Sequence, residues 1–247
     1  MVSPRPLSGR RVVTTRDEPG RLDSLLAALG ADVVHVPLIA IDDPPDGSGS
    51  LVAALEQLGS FDWLVVTSRH GAERVGAAAA RQPAVQLAAV GPRTAARLIE
   101  LAGRAPAVVP NRHTAAALVE AMPAPVEGKR RMLVVQADRA DDTLATGLRS
   151  KGFDVTSVVG YATTLRAPTA AQRAAVLDAD AVALASGSAA QSWAAAFGQW
   201  VPPVVVAIGP TTRRVASEAG LDVTHTAGDH TVDGLAAEIT SVLGRRP

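Results

Sequence analysis

No cysteine occurs in these 247 residues, which removes disulfides, thiolate nucleophiles, iron–sulfur clusters and zinc-thiolate sites together. Aromatic residues are scarce at 3%, too few for the Phe, Tyr and Trp platforms on which nucleic-acid bases stack. Net charge of either sign is also missing. The 24 Lys and Arg balance the 24 Asp and Glu, so no overall field draws a polyanion such as nucleic acid. No apolar run approaches the roughly 20 residues of a bilayer span. The opening "MVSPRPLSGRR" carries basic residues with no apolar stretch behind them, unlike a secretory signal. A cytoplasmic protein with neither nucleic-acid nor membrane partner is expected.

Several catalytic signatures are absent too. The chain has no G-x-G-x-x-G, no G-x-x-x-x-G-K-[ST] and no G-x-S-x-G, which disfavours dinucleotide, P-loop and α/β-hydrolase chemistry. The histidines His35, His70, His113, His225 and His230 make no pair at helical or H-x-H spacing, so they read as helix-start or surface residues, not metal ligands. Asp42-Asp43 and Asp141-Asp142 sit beside proline or polar neighbours and read as solvated loop or helix-start acids. No metal and no cofactor is expected.

What the chain does contain is a repeat. A shift of 118 positions lays "FDWLVVTSRHGAERV" from Phe61 on "ADAVALASGSAAQSW" from Ala179, and "AVGPRTA" from Ala89 on "AIGPTTR" from Ala207. Shifts of 117 and 122 pair "NRHTAAALVEAM" with "GDHTVDGLAAEI" and "GADVVHV" with "GFDVTSV". Within each copy, short Val, Leu and Ala runs (12–14, 64–66, 87–90, 133–135, 204–208) are bounded by small or polar residues, as buried parallel strands are. Helical faces alternate with them: Leu22, Leu25, Leu26 and Leu29, and Val232, Leu235, Ala236 and Ile239, keep i, i+3, i+4, i+7 spacing. The pattern predicts a duplicated α/β unit with doubly wound parallel sheets.

Such sheets bind ligands beyond the carboxyl ends of their strands, and there the chain writes hydroxyls, glycines and arginines: Thr14-Thr15-Arg16, Thr67-Ser68-Arg69, Gly91-Pro92-Arg93-Thr94, Asp138-Arg139, Ser186-Gly187-Ser188 and Gly209-Pro210-Thr211-Thr212. In Gly-Pro-x-Thr the glycine suits a helix cap, and proline suits the first helical position because its missing N–H would be unbonded anyway. The free amides and dipole of that turn favour an anion, and the Thr hydroxyl is expected to face the mouth. Each turn alone also reads as an ordinary cap; their recurrence points to a polyanion-binding crevice. Tyr161, the one tyrosine, is either a packed aromatic with its hydroxyl satisfied locally or a proton donor to a leaving hydroxyl.

In order and spacing, "TTR", "FDWLVVTS", "AVGPRTA", "GFDVTSVVGYATT", "ALASGSAA", "AIGPTTRRVASEAGL" and "HTVDGLAAEI" resemble the uroporphyrinogen-III synthase family over essentially the whole chain. One departure is present: many bacterial members carry Arg-Gly after the fourth strand, where this chain has Gln136-Ala137, with Arg139 further on. The resemblance implies two flavodoxin-like α/β domains joined by a two-stranded linker, residues 1–37 with 164–247 and residues 42–158, with linkers near 38–41 and 159–163. It implies a cofactor-free lyase that closes hydroxymethylbilane into uroporphyrinogen III, inverting the last ring with loss of water. Tyr161 would assist departure of the hydroxyl. Thr94, Ser186, Ser188, Thr211 and Thr212 would line the cleft, with the amides that follow Gly91 and Gly209, and with Thr67, Ser68 and Arg16 as further contacts. A monomer is expected. The rival reading is a non-catalytic two-domain protein or regulator that closes on an anionic ligand; it would be favoured by an output segment after the repeat, and none follows "TSVLGRRP".

Overall fold

The computed structural model describes residues 5–128 and 130–244. The first four residues and the last three, which the sequence reading placed at the ends of one domain, lie outside the described residues. The described part of Met1–Ala40 and Thr164–Pro247 forms one compact unit, and Ile41–Thr163 forms the other. The chain passes between them at 40–41 and at 163–164.

The first unit holds a sheet in the order β10-β9-β8-β1-β2, made of β1 (Arg11–Thr14), β2 (Asp32–His35), β8 (Ala181–Leu184), β9 (Val204–Ala207) and β10 (His225–Thr226). Neighbours along it pair in parallel. The second unit holds the order β3-β7-β6-β4-β5, from β3 (Ile39–Asp42), β4 (Trp63–Val66), β5 (Gln86–Ala89), β6 (Arg131–Ala137) and β7 (Asp154–Leu165); β4–β5, β4–β6 and β6–β7 are parallel. The repeat is therefore structural. Run β9-β8-β1-β2 matches run β5-β4-β6-β7 strand for strand, and each unit adds one further edge strand at an opposite end.

Alternation along the strands explains why helices cover both faces. In the first unit Val13, Val182, Leu184 and Val205 pack with Trp193 and Ala216 of α8 (Gly187–Phe197) and α9 (Pro210–Glu218). The intervening Val12, Ala181, Ala183 and Val206 pack with Leu22 and Leu26 of α1 (Arg21–Ala28) and Leu235 and Ile239 of α10 (Val232–Leu243). In the second, Leu64, Val66, Leu133 and Val135 meet α3 (Arg69–Arg81) and α4 (Pro92–Ala102) through Val75 and Leu98. Val65, Met132 and Val134 meet α5 (Ala115–Ala121) and α6 (Thr143–Ser150) through Leu118, Leu144 and Leu148. Two further helices, α2 (Gly49–Glu56) and α7 (Ala170–Leu177), belong to the second and first units respectively. Period-two burial on both faces is what a parallel sheet between helix layers requires. Trp193 is fully buried, and its indole N–H donates to the Trp200 carbonyl at 2.8 Å, which satisfies the one polar atom that side chain brings into the core.

Candidate functional site

In each unit the strand order reverses at one point, and adjacent strands there send their helices to opposite faces. In the first unit this happens between β1, followed by α1, and β8, followed by α8; in the second it happens between β4, followed by α3, and β6, followed by α6. Diverging helices leave a crevice at the carboxyl ends of those two strands, the place where open α/β sheets bind ligands. Arg16 and Ser186 follow the two strands that flank the crevice in the first unit. In the second unit Thr67-Ser68 and Asp138-Arg139 do so.

Along the first unit's edge, the Ser186 hydroxyl caps α8 by accepting from the Ala189 N–H at 3.1 Å and lies 2.9 Å from the Ser188 hydroxyl. Ser188 is exposed. Gly209 caps α9 with Pro210 in its first turn. Thr211 stands exposed, whereas Thr212 is only 5% exposed. The Thr-Thr-Arg run divides: the Thr14 hydroxyl donates to Asp23 within the unit and lies 3.3 Å from Nδ1 of His35. Asp23 also accepts the Gly20 N–H at 2.7 Å. Thr14 therefore holds α1 to the sheet, and only Arg16 of the three is partly open to solvent.

The second unit repeats the arrangement. The Ser68 hydroxyl accepts from the Gly71 N–H at 3.0 Å at the start of α3. The Thr67 hydroxyl reaches the Val135 carbonyl only at 3.5 Å, at the limit of a hydrogen bond. Gly91 caps α4 with Pro92 in its first turn, and Thr94 behind it is 5% exposed. Both x-Thr residues, whose hydroxyls were expected to face the mouth, are buried. A helical side chain leans toward its helix's N-terminus, so each lies behind the free amides of its turn.

Tyr161 is positioned by a bulge. The β6–β7 register runs regularly to Gln136↔Val159, then steps to Ala137↔Tyr161, leaving Gly160 out. A Cβ on Gly160 would sit 2.5 Å from Cγ1 of Val135, so only glycine fits there, and the extra residue re-aims the side chain that follows. Tyr161 is 7% exposed and meets the His70 ring edge-to-face at 5.4 Å between centroids. Its backbone carbonyl accepts the Asp138 N–H at 3.0 Å, and Asp138 in turn accepts the Thr163 N–H at 3.1 Å. Gln136, where the family resemblance departs, is 7% exposed.

Three histidines that the sequence reads as helix-start or surface residues stand at helix starts. His70, one residue into α3, abuts Tyr161. His113 and His230 are exposed, and each lies on a Gly-Pro turn: a Cβ on Gly91 would meet His113 carbons at 3.4 to 3.8 Å, and one on Gly209 would meet His230 carbons at 3.2 to 3.5 Å. Each also precedes a threonine that caps the next helix, Thr114 for α5 and Thr231 for α10. Two helix starts with an imidazole between them therefore recur once per unit. The visible signal was the repeated His-Thr at a shift of 117.

Acids are present at these edges as well. Asp138 follows β6, and Asp17 and Glu18 follow Arg16. Asp141 accepts the Thr143 N–H at 3.0 Å, and its carboxyl is held below the ordinary range by the side chain and backbone of Thr143, as a helix-start acid should be. Among the described residues no group of three or more His, Asp or Glu is placed to hold a metal, and no helix is long and apolar enough to cross a membrane.

The family model described as uroporphyrinogen-III synthase HemD matches residues 20–237. Among curated proteins, a uroporphyrinogen-III synthase of Synechococcus elongatus is 30% identical over 64% of this chain, which spans 62% of that relative, less than two thirds of its length. A chloroplastic uroporphyrinogen-III synthase of Oryza sativa is 29% identical over 94% of this chain and 80% of its own. Among solved structures, the Helicobacter pylori uroporphyrinogen-III synthetase aligns with TM-score 0.66 at 17% identity, over 94% of this chain and 99% of its own. A mutant uroporphyrinogen III synthase from Thermus thermophilus aligns with TM-score 0.58 at 16% identity, over 96% and 99%. At such identities the structural likeness speaks to the fold.

Proposed function

The chain belongs to the uroporphyrinogen-III synthase family, and from that premise we propose that it converts hydroxymethylbilane to uroporphyrinogen III. The observation that carries the reading is the twofold occurrence of one anion-favouring device, a Gly-Pro helix start backed by a buried threonine and overlaid by a histidine. A linear tetrapyrrole with acetate and propionate arms offers carboxylates along its length. Helix-start amides, with Ser186, Ser188, Thr211 and Arg16 on one unit and Thr67, Ser68 and Thr94 on the other, would hold them through charge-assisted hydrogen bonds.

The chemistry asks little of side chains. A pyrrole nitrogen lone pair expels the terminal hydroxyl as water once that oxygen takes a proton, leaving an azafulvene. The substituted carbon of the last ring attacks it, forming a spiro intermediate. One carbon–carbon bond then breaks and re-forms at the other position, so the ring is inverted with no net redox change. Tyr161 is our candidate for the proton donor at the departing hydroxyl, held in place by the Gly160 bulge and His70. The protein's main work is orientation: attack at the substituted carbon must outrun simple head-to-tail closure.

Hydroxymethylbilane supplied to the purified protein, with isomers III and I separated after oxidation, tests this. Isomer III above background is expected. Only spontaneous isomer I would overturn the enzymatic reading and favour a binding-only protein. A cytoplasmic monomer completes the proposal, and sedimentation velocity and cell fractionation check it.

A further inference from the structure

We propose that the first unit carries a separate site for a small oxyanion, a phosphate or carboxylate head on a short apolar body, between the stretch that leaves β7 and helices α7 and α8. This rests on a cavity of about 210 Å³ whose walls include Leu38, Leu165, Arg166, Arg173, Ser192 and Ala196. None of its lining residues is acidic. It is independent of the Gly-Pro turns and of the proposed reaction.

Three features give the cavity its chemistry. Arg173 is held in place before any ligand arrives: one guanidinium nitrogen donates to the Ala196 carbonyl at 2.9 Å, and the group lies 5.4 Å from the centre of the Phe197 ring. Stacking and one hydrogen bond leave its other N–H groups available in a fixed plane, the geometry that suits carboxylate and phosphate. Arg166 is fixed at its backbone, whose N–H donates to the Leu38 carbonyl at 2.9 Å. Neither arginine has an ion-pair partner among the described residues, in contrast to Arg10, Arg11, Arg21 and Arg214 of the same unit, each beside an acid. Both side chains are exposed at the cavity's edge, where a shared anion would accept charge-assisted hydrogen bonds from them.

Ser192 is the third feature. It stands on α8, is 4% exposed as a residue, and lines the same cavity; its hydroxyl is not among the buried polar atoms left without a partner. A hydroxyl on this wall can donate to a ligand oxygen beside the two guanidinium groups. The remaining wall is aliphatic, from Leu38, Leu165, Ala167, Ala195 and Ala196, which favours a short apolar body behind the charged head. An occupant would tie the segment 165–167 to α7 and α8.

The test uses the full-length protein with inorganic phosphate and, separately, sodium butyrate as probes, read by titration calorimetry and by amide shifts in two-dimensional NMR. Saturable binding of either probe at millimolar concentration is expected, with shifts centred on Arg166, Ser192 and Ala196. Phosphate alone would assign the site to phosphate esters, and butyrate alone to carboxylates. Arg173→Gln should weaken binding roughly tenfold or more, the usual loss for a charged hydrogen bond. Arg166→Gln, which keeps the backbone bond to Leu38, and Ser192→Ala should weaken it by smaller factors and leave the fold intact. Shifts confined to the Gly-Pro turns, no saturable response to either probe, or parental affinity in all three variants would overturn the proposal. Conversion of hydroxymethylbilane plays no part in any of these readouts.

Discussion

His230 lies against Gly209 so closely that a Cβ at position 209 would stand 3.2 Å from two of its ring carbons, and His113 stands over Gly91 more loosely, its nearest ring carbon at 3.6 Å. Gly209 has an extended backbone, with φ near −174°, so the reason for glycine is this approach and not conformational freedom. Gly209→Ala should push the imidazole away from the helix start, raising KM for hydroxymethylbilane several-fold with a smaller change in kcat. It should also cost about 1 kcal/mol for the poorer cap. Gly91→Ala, where the contact is ordinary, should do less. Steady-state kinetics on both variants checks the order; an equal response would detach the histidines from binding.

The Gly160 bulge makes a sharper demand. Alanine there would press on Val135, which is fully buried, and overpacking of this kind costs about 1–3 kcal/mol. Thermal unfolding should show the loss. Isomer III formation at a temperature where the variant is folded should fall further than stability explains, because Tyr161 is re-aimed.

Tyr161→Phe removes one oxygen from a side chain that is already packed, so the fold should survive. The rate of isomer III formation should drop by about a hundredfold, at the weak end of general-acid effects. An undiminished rate would take Tyr161 out of the chemistry and leave it as a packing residue against His70.

Thr94→Val and Thr212→Val test whether binding is shared. Backbone amides survive side-chain changes, so each variant should lose only about three- to thirtyfold in kcat/KM, the worth of a single hydrogen bond. Abolished activity in folded Thr94→Val would contradict a grip distributed over many donors.

The Arg21 and Asp233 pair joins α1 to α10 through two hydrogen bonds, at 3.1 and 2.6 Å. The Arg21 hydrogen bond, with its charge, holds the Asp233 carboxyl below the ordinary carboxylate range. A depressed folded-state pKa adds stability above the unfolded-state pKa, and that stability is lost as pH falls through the folded value. Arg21→Gln should therefore raise the Asp233 pKa, seen by carboxyl-carbon NMR titration. It should also flatten the acid limb of the stability profile by lowering stability slightly near neutrality, with parent and variant converging at acid pH once Asp233 is protonated; the effect should be small, since both groups are exposed.

Much of this was legible along the chain because it is local. The apolar faces of α1 and α10, the strand runs and the Gly-Pro helix starts follow from residue spacing and from what proline and glycine permit at a cap. Ser68, Ser186, Thr114 and Thr231 cap the helices that their positions imply. The histidines were not legible as ring contacts, because His113 reaches Gly91 and His230 reaches Gly209 only after intervening helices have folded. Thr14 was misleading in the same way: its hydroxyl sits at a strand end, yet an acid nine residues on takes it.

The sequence by itself determined that one α/β unit is written twice and that its strand ends carry donors, since repeats and periodicity need no partner to be seen. Tertiary structure alone decided that β1 pairs with β8, where the Arg11 N–H meets an Asp180 carboxylate 169 positions away, that the reversal points fall beside Arg16 and Thr67, and that Gly160 stands out of register. Those outcomes depend on burial and pairing between segments far apart in the chain, and no residue announces its distant partner in advance.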